Sequence, residues 1–94
     1  MIERTLVVIA PLGLHARAAA KLVRLVSNFE SDIQLQRIDT SVSADAKSIL
    51  SVLMLAASCG TQLHARADGS DEEAAIAAMA DLFASGFGEV ATSS

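Results

Sequence analysis

The period of the hydrophobic pattern changes repeatedly along the chain, and the order of those changes constrains the fold more than any single residue does. From Thr5 to Ile9 the β-branched Thr5, Val7, Val8 and Ile9 predict a buried strand, stopped by Pro11 and Gly13. From Ala16 to Phe29 the spacing turns helical, with Ala19, Leu22, Val23 and Val26 on one face and Arg17, Lys21 and Arg24 on the other. Asp32 to Ile38 alternates, with Ile33 and Leu35 inward, and a polar turn at Asp39 to Ser41 leads into a short strand from Ser41 to Ala44. Ser48 opens a second helix by capping its free amides, and Cys59-Gly60 stops it. Leu63, Ala65 and Ala67 then alternate with Gln62, His64 and Arg66 up to the Asp68-Gly69 turn, which turns His64 away from the core. Ser70-Asp71-Glu72-Glu73 reads as a capping box, Ser70 bonding the third helical amide and Glu73 reaching back. The helix behind it buries Ile76, Met79, Ala80 and Phe83 and ends near Gly86, leaving residues 90–94 as a frayed tail.

The order β-α-β-β-α-β-α predicts an α+β fold, in which three helices, each with one apolar face, cover one side of a four-stranded antiparallel sheet. The order of strands within the sheet does not follow from periodicity. At 94 residues, with no repeat or internal linker, residues 1–94 form one domain. A hydrophobic fraction of 52% against 19% charged residues excludes intrinsic disorder, and only 3% aromatic residues means an aliphatic core. A chain of this size buries about 60 to 65% of its unfolded surface, which leaves little room for a deep, self-contained active site.

Seven basic and eleven acidic side chains give a net charge of −4, which argues against a general nucleic-acid binder. A single cysteine, Cys59, cannot form an internal disulfide and has no metal-ligand spacing around it. The start Met1-Ile2-Glu3-Arg4 lacks the basic segment of a secretory signal, and the apolar run Leu6 to Leu14 is too short to span a bilayer. The expected location is the cytoplasm, with no membrane insertion, no metal and no cofactor. Cys59 is expected to be a small, partly buried apolar residue, and His64 a surface residue. Met54 and Met79 fit apolar faces, and Asp71, Glu72 and Glu73 are explained by capping without acid–base chemistry.

The second helix carries more apolar residues than a sheet can cover. Ile49, Leu50, Val52, Leu53, Met54 and Leu55 run around most of its circumference, so part of it is expected to form an exposed contact patch beginning beside Ser48.

The segment richest in chemistry is Pro11-Leu12-Gly13-Leu14-His15-Ala16-Arg17-Ala18, where a histidine sits between a strand, a glycine turn and a helix start. The first-turn amides and the positive end of the helix dipole favour an anion. An oxyanion on the His15 ring would therefore meet the backbone donors of Ala16 and Arg17. A neutral imidazole keeps a lone pair for nucleophilic attack, and the Arg17 guanidinium matches phosphoryl oxygens. These residues suit reversible phosphorylation of His15. Taken alone, a histidine here also serves as a cap or a surface residue, a basic stripe also as a solvated face, and Ser48 also as a plain N-cap.

Pro11-Leu12-Gly13-Leu14-His15-Ala16-Arg17 followed by Ala46-Lys47-Ser48-Ile49 resembles the HPr family, the histidine-containing phosphocarriers of the phosphoenolpyruvate-dependent phosphotransferase system. The resemblance covers nearly the whole chain. It implies an open-faced β-sandwich, phosphorylation of His15 at Nδ1 by enzyme I using phosphoenolpyruvate, and onward transfer to a IIA-type protein or domain, with Arg17 stabilising the phosphoryl group. The family's regulatory serine, modified in many lineages by HPr kinase/phosphorylase, falls on Ser48. A docking face is expected from Lys21, Arg24, Lys47, Ile49, Leu50 and Leu53, as suits a transiently binding monomer that is not a stand-alone catalyst.

The chain departs from the usual family pattern at Ala18, where most members carry proline. The helix then starts less rigidly but gains an amide donor near the phosphoryl group. The ending Leu82-Phe83-Ala84-Ser85-Gly86-Phe87-Gly88-Glu89 and the longer central hairpin resemble the nitrogen-type, regulatory branch. Two other readings remain: a regulatory module that controls a transcription factor, kinase or metabolic enzyme without sugar transport, and a small-molecule-binding α+β domain.

Overall fold

A computed structural model describes residues 1–88. Four strands and three helices follow in the expected order: β1 (Ile2–Val7), α1 (Ala16–Val26), β2 (Asp32–Arg37), β3 (Ser43–Asp45), α2 (Ile49–Met54), β4 (Gln62–Asp68) and α3 (Glu72–Ala84), with a short 3-10 turn at Gly86–Gly88. The sheet is antiparallel throughout with strand order β1-β4-β2-β3. Alternation in β2 and β4 works as the sequence implies, whereas Thr5, Val7 and Ile9, expected in a buried strand, are exposed because the first strand pairs with its inner face on Leu6 and Val8. Leu6, Ile33, Leu35, Ala44, Leu63, Ala65 and Ala67 point into the core, while Glu3, Thr5, Asp32, Gln62, Arg66 and Asp68 face out. The helices cover the inner face, α3 lying on β1 and β4 and α1 against both α2 and α3. Ala18, Ala19, Leu22 and Val26 bury one side of α1, and Ala75, Ile76, Met79 and Phe83 bury one side of α3. Many of the facing positions are alanine, and the edge-to-face pair Phe83 and Phe87, centroids 4.9 Å apart, supplies the largest buried side chains.

Several boundaries differ from the sequence reading, each for a tertiary reason. β1 begins at Ile2, because pairing with β4 from Ile2 opposite Ala67 draws the whole N-terminal segment into the ladder. β3 occupies Ser43–Asp45, since Ser41 turns through φ +62 and Arg37 N–H bonds Val42 O, closing the hairpin later than expected. α1 stops at Val26, where Asn28 and Phe29 donate to carbonyls three residues back and tighten the chain into a turn. α2 has only six residues. Its end is set by Arg37, whose Nη1 donates to Leu55 O at 3.0 Å and Ala56 O at 2.9 Å, while Ala56 turns to φ +52.

The start of α3 corrects the capping-box reading. Asp71, not Ser70, is the N-cap residue, and its carboxylate bonds outside the helix. It accepts from the Ser31 hydroxyl, from Glu30 N–H at 2.8 Å and from Ser31 N–H at 2.9 Å, clamping the start of β2 to the start of α3. The back-reaching acid is Glu72, not Glu73: its Oε1 accepts from Gly69 N–H at 3.0 Å and its Oε2 lies 3.1 Å from the terminal ammonium of Met1. The Ser31 hydroxyl, with the two amides, holds Asp71 below the ordinary carboxylate range. Cys59 is exposed in the turn after α2, its sulfur 3.7 Å from Ile9 O, rather than partly buried. His64 does face away from the core, and its Nε2 lies 2.6 Å from Glu3 Oε1 across the outer face of the sheet. The expected tail at 90–94 lies outside the described residues.

Candidate functional site

The loop from β1 to α1 is held rigidly enough to aim a side chain. Gly13 N–H bonds Ala10 O at 2.9 Å, and Leu14 N–H bonds Ala57 O at 2.8 Å, tying the loop to the chain that leaves α2. Gly13 sits at φ +69 with its backbone pressed on Ala57 and Ser58: a Cβ there would lie 2.5 Å from Ala57 O. Only glycine combines that conformation with that approach. Ala10 and Leu14 are buried on either side, so the next residue is delivered at the helix start in one orientation.

That residue is His15, half-buried and the N-cap of α1, with extended backbone (φ −76, ψ −177). Its carbonyl accepts the first helical bond, from Ala19 N–H at 2.8 Å. Its Nδ1 accepts from Arg17 N–H at 3.3 Å. The cap and the chemical readings of this histidine therefore describe one arrangement: capping turns the Nδ1 lone pair toward the helix-start amides and, in the neutral ring, leaves the proton on Nε2. The contact is long, so releasing it costs little. Ala16, Arg17 and Ala18 contribute the amides that precede the first helical bond, and these have no carbonyl of their own helix to reach. A phosphoryl oxygen on Nδ1 would find donors there, together with the exposed guanidinium of Arg17.

An open cleft adjoins the ring, lined by Pro11, Leu12, His15, Arg17, Lys21 and Gly88. It is open to solvent rather than enclosed, as suits a site that another protein completes. Among the described residues no cluster of three or more His, Cys, Asp or Glu is placed to hold a metal, and no helix is long and apolar enough to cross a membrane.

Of the other residues singled out in the sequence, Ser48 is the N-cap of α2, its Oγ accepting from Ser51 N–H at 3.4 Å. Beyond it the apolar surplus of α2 divides as expected. Val52 and Leu55 are buried, Leu53 is half-buried, and Ile49 and Leu50 are exposed, Leu50 by 70%. Arg24 is exposed on α1. Lys21 and Lys47, both expected to dock a partner, have their ammonium groups on main-chain carbonyls: Lys21 Nζ donates to Phe87 O at 2.7 Å and Lys47 Nζ to Phe29 O at 2.8 Å. Three features were missed. Leu12 is 73% exposed at the cleft, Met54 is 77% exposed on α2 although it was not among the expected docking residues, and Gly88 forms part of the cleft wall. A leucine between proline and glycine in a loop was the one available signal for the first. The surplus on α2 was the signal for the second, and nothing local marks the third.

A family model described as the PTS HPr component phosphorylation site matches residues 2–85. A phosphocarrier protein HPr of Xylella fastidiosa is 47% identical over 89 residues, covering 95% of this chain and 98% of that protein. A phosphocarrier protein NPr of Escherichia coli is 40% identical over 88 residues, covering 94% and 97%. Among solved structures, HPr of Thermoanaerobacter tengcongensis superposes with a TM-score of 0.89 at 40% identity, covering 95% of this chain and 98% of that one.

Proposed function

The chain belongs to the HPr family of phosphotransferase-system phosphocarriers, and from that premise we propose that His15 is the phosphoryl acceptor and donor, loaded by enzyme I at the expense of phosphoenolpyruvate and emptied onto a IIA-type protein. The observation that carries this reading is the Nδ1 of His15 turned toward the first-turn amides of α1, with Arg17 beside it. In the loading step the Nδ1 lone pair forms the N–P bond while the bond from phosphorus to the donor's leaving atom breaks, that atom keeping its electron pair. The ring proton stays on Nε2. Arg17 N–H, released from Nδ1, then donates to a phosphoryl oxygen, as do the neighbouring amides, and the guanidinium balances the added charge. Unloading reverses these movements toward the acceptor's nucleophile.

Docking is assigned to Arg24, Ile49, Leu50 and Leu53, with Lys47 adding to the positive field against an acidic partner, while Lys21, whose ammonium is bonded to the Phe87 carbonyl, is left out of the docking set. Ser48 is assigned as a control site for a kinase of the HPr kinase/phosphorylase type. A phosphate there would stand beside exposed Ile49 and Leu50 and oppose the same partners.

The test is incubation of the protein with enzyme I and phosphoenolpyruvate, read by intact mass and acid lability, with His15→Ala alongside. An acid-labile phosphoryl adduct that requires His15 is expected. A folded protein that takes no phosphoryl group from a cognate enzyme I would refute the reading, and regulation by docking alone would replace it.

A further inference from the structure

Three successive residues at the end of the described chain have positive φ: Gly86 at +64, Phe87 at +57 and Gly88 at +77. For the two glycines this is unremarkable, but Phe87 carries a side chain in a region that side chains disfavour, so something must hold it there. Two contacts do. Its ring is fully buried edge-to-face against Phe83. Its carbonyl accepts from the Lys21 ammonium at 2.7 Å, a bond joining residues 66 positions apart. The same ammonium packs under the next residue, since a Cβ on Gly88 would lie 3.2 Å from Nζ.

Lys21 and Gly88 also line the cleft beside His15. His15 caps α1 and Lys21 lies near its middle, and both contribute to that cleft. Lysine, terminal turn and phosphorylation site thus form one connected structure.

We infer that Lys21 is a positioning residue for phosphoryl transfer at His15: by holding the Phe87 carbonyl it fixes the Gly86–Gly88 knuckle as one wall of the cleft. The inference rests on the phosphocarrier reading above. Lys21 acts through the wall, because its ammonium is committed to a main-chain carbonyl. A fixed wall limits the orientations open to the phosphorylated ring and restricts water on that side. Losing it lowers the rate of transfer and speeds hydrolysis, while partner affinity changes little. A docking cation would do the reverse, acting on affinity through charge.

The test uses the full chain with enzyme I and phosphoenolpyruvate, measuring kcat and KM for the carrier and the hydrolysis rate of the purified phosphoprotein. Lys21→Met keeps the apolar stem and loses the donor, whereas Lys21→Gln keeps a neutral donor and loses the charge. Lys21→Met is expected to lower kcat about tenfold with KM within about twofold of wild type, and to hydrolyse severalfold faster, while Lys21→Gln restores about half of kcat or more. A Lys21→Met protein with wild-type kcat overturns the inference. So does a Lys21→Gln protein as impaired as Lys21→Met with raised KM, which would assign the residue to electrostatic docking. If Lys21→Met does not fold, Gly88→Ala tests the wall directly by crowding the ammonium at an unfavourable φ; the same fall in kcat is expected, and wild-type kcat overturns the inference. A wild-type chain that accepts no phosphoryl group brings down the carrier reading and this inference together, whereas normal wild-type transfer beside an unimpaired Lys21→Met brings down this inference alone.

Discussion

Replacing Gly13 by alanine tests whether the loop before His15 is built around a missing side chain. Two effects add. Alanine in the left-handed region costs about 1 to 2 kcal/mol, partly offset by a gain of about 0.4 to 1 kcal/mol from the stiffer unfolded chain. The larger effect is steric. The new methyl would stand 2.5 Å from Ala57 O and 2.8 Å from Ser58 Cα, both main-chain atoms, so the two segments must separate. Overpacking of that kind costs about 1 to 3 kcal/mol, and separation strains the Leu14 N–H to Ala57 O bond, worth about 0.5 to 1.5 kcal/mol more. A loss of about 4 kcal/mol corresponds to a fall in Tm of about 15 to 30 °C for a domain of this size. Gly60→Ala supplies the comparison. Its φ is +95, but no atom lies within 4 Å of the added Cβ, so only the backbone effect remains, about 1 kcal/mol. Far-UV circular dichroism melts read both variants, since the chain has neither tryptophan nor tyrosine for fluorescence. Equal falls in Tm for the two would refute the close approach as the reason for glycine at 13. A Gly13→Ala protein that melts far below wild type yet is phosphorylated at the wild-type rate would refute the claim that this contact aims His15.

Other perturbations address the site and the fold separately. Ala18→Pro removes one first-turn N–H while pre-setting φ, so the phosphoprotein should hydrolyse at a different rate with the fold retained; identical phosphorylation and hydrolysis rates would dismiss any role for the Ala18 amide. Leu50→Asp and Ser48→Asp each place a negative charge on the assigned docking face and should raise KM for enzyme I severalfold, Leu50→Asp with Tm within a few degrees of wild type; an unchanged KM in both would move docking elsewhere. Asp71 is held below the ordinary carboxylate value of 3.8, so its contribution to stability is complete above that pH and disappears as pH falls through its lower folded value. Asp71→Asn should therefore lower Tm at neutral pH and flatten its decline below about pH 4, and an acid limb as steep as wild type would show that other groups dominate it.

Features that depend on a few neighbouring residues were legible in the sequence, and features set across the fold were not. The alternation of Leu63, Ala65 and Ala67, the hydrophobic face of α1, and the caps at His15 and Ser48 all follow from local geometry, and all are present. The length of α2 was misread because its terminating cation, Arg37, arrives from β2, and the glycine at 60 was a more obvious stop. The cap of α3 was misread for the same kind of reason: Asp71 serves Glu30 and Ser31, some forty residues earlier. At the site, the histidine and its donors were legible because a helix start is a local motif. The wall at Gly88 was not, because a lysine in α1 and a buried Phe87 ring create it.

If, as we propose, His15 carries the phosphoryl group, the construction of its site also bears on why such a chain could both accept that group and give it up. Its identified supports are main-chain amides at one helix end and an exposed arginine, without a metal cluster among the described residues. A helix terminus stabilises an adjacent anion by about 0.3 to 1 kcal/mol when exposed, and by up to about 2 kcal/mol in favourable, partly buried geometry. An exposed ion pair adds at most about 1 kcal/mol. Together these shift the phosphorylation equilibrium by about a hundredfold at most, since each 1.4 kcal/mol is about a factor of ten. A deeper, desolvated pocket would hold the phosphoryl group more firmly and would then have to be dismantled by every acceptor. With so modest a hold, the direction of transfer is decided by the relative phosphoryl affinities of donor and acceptor, and the carrier's contribution is to present Nδ1 in the same geometry to both.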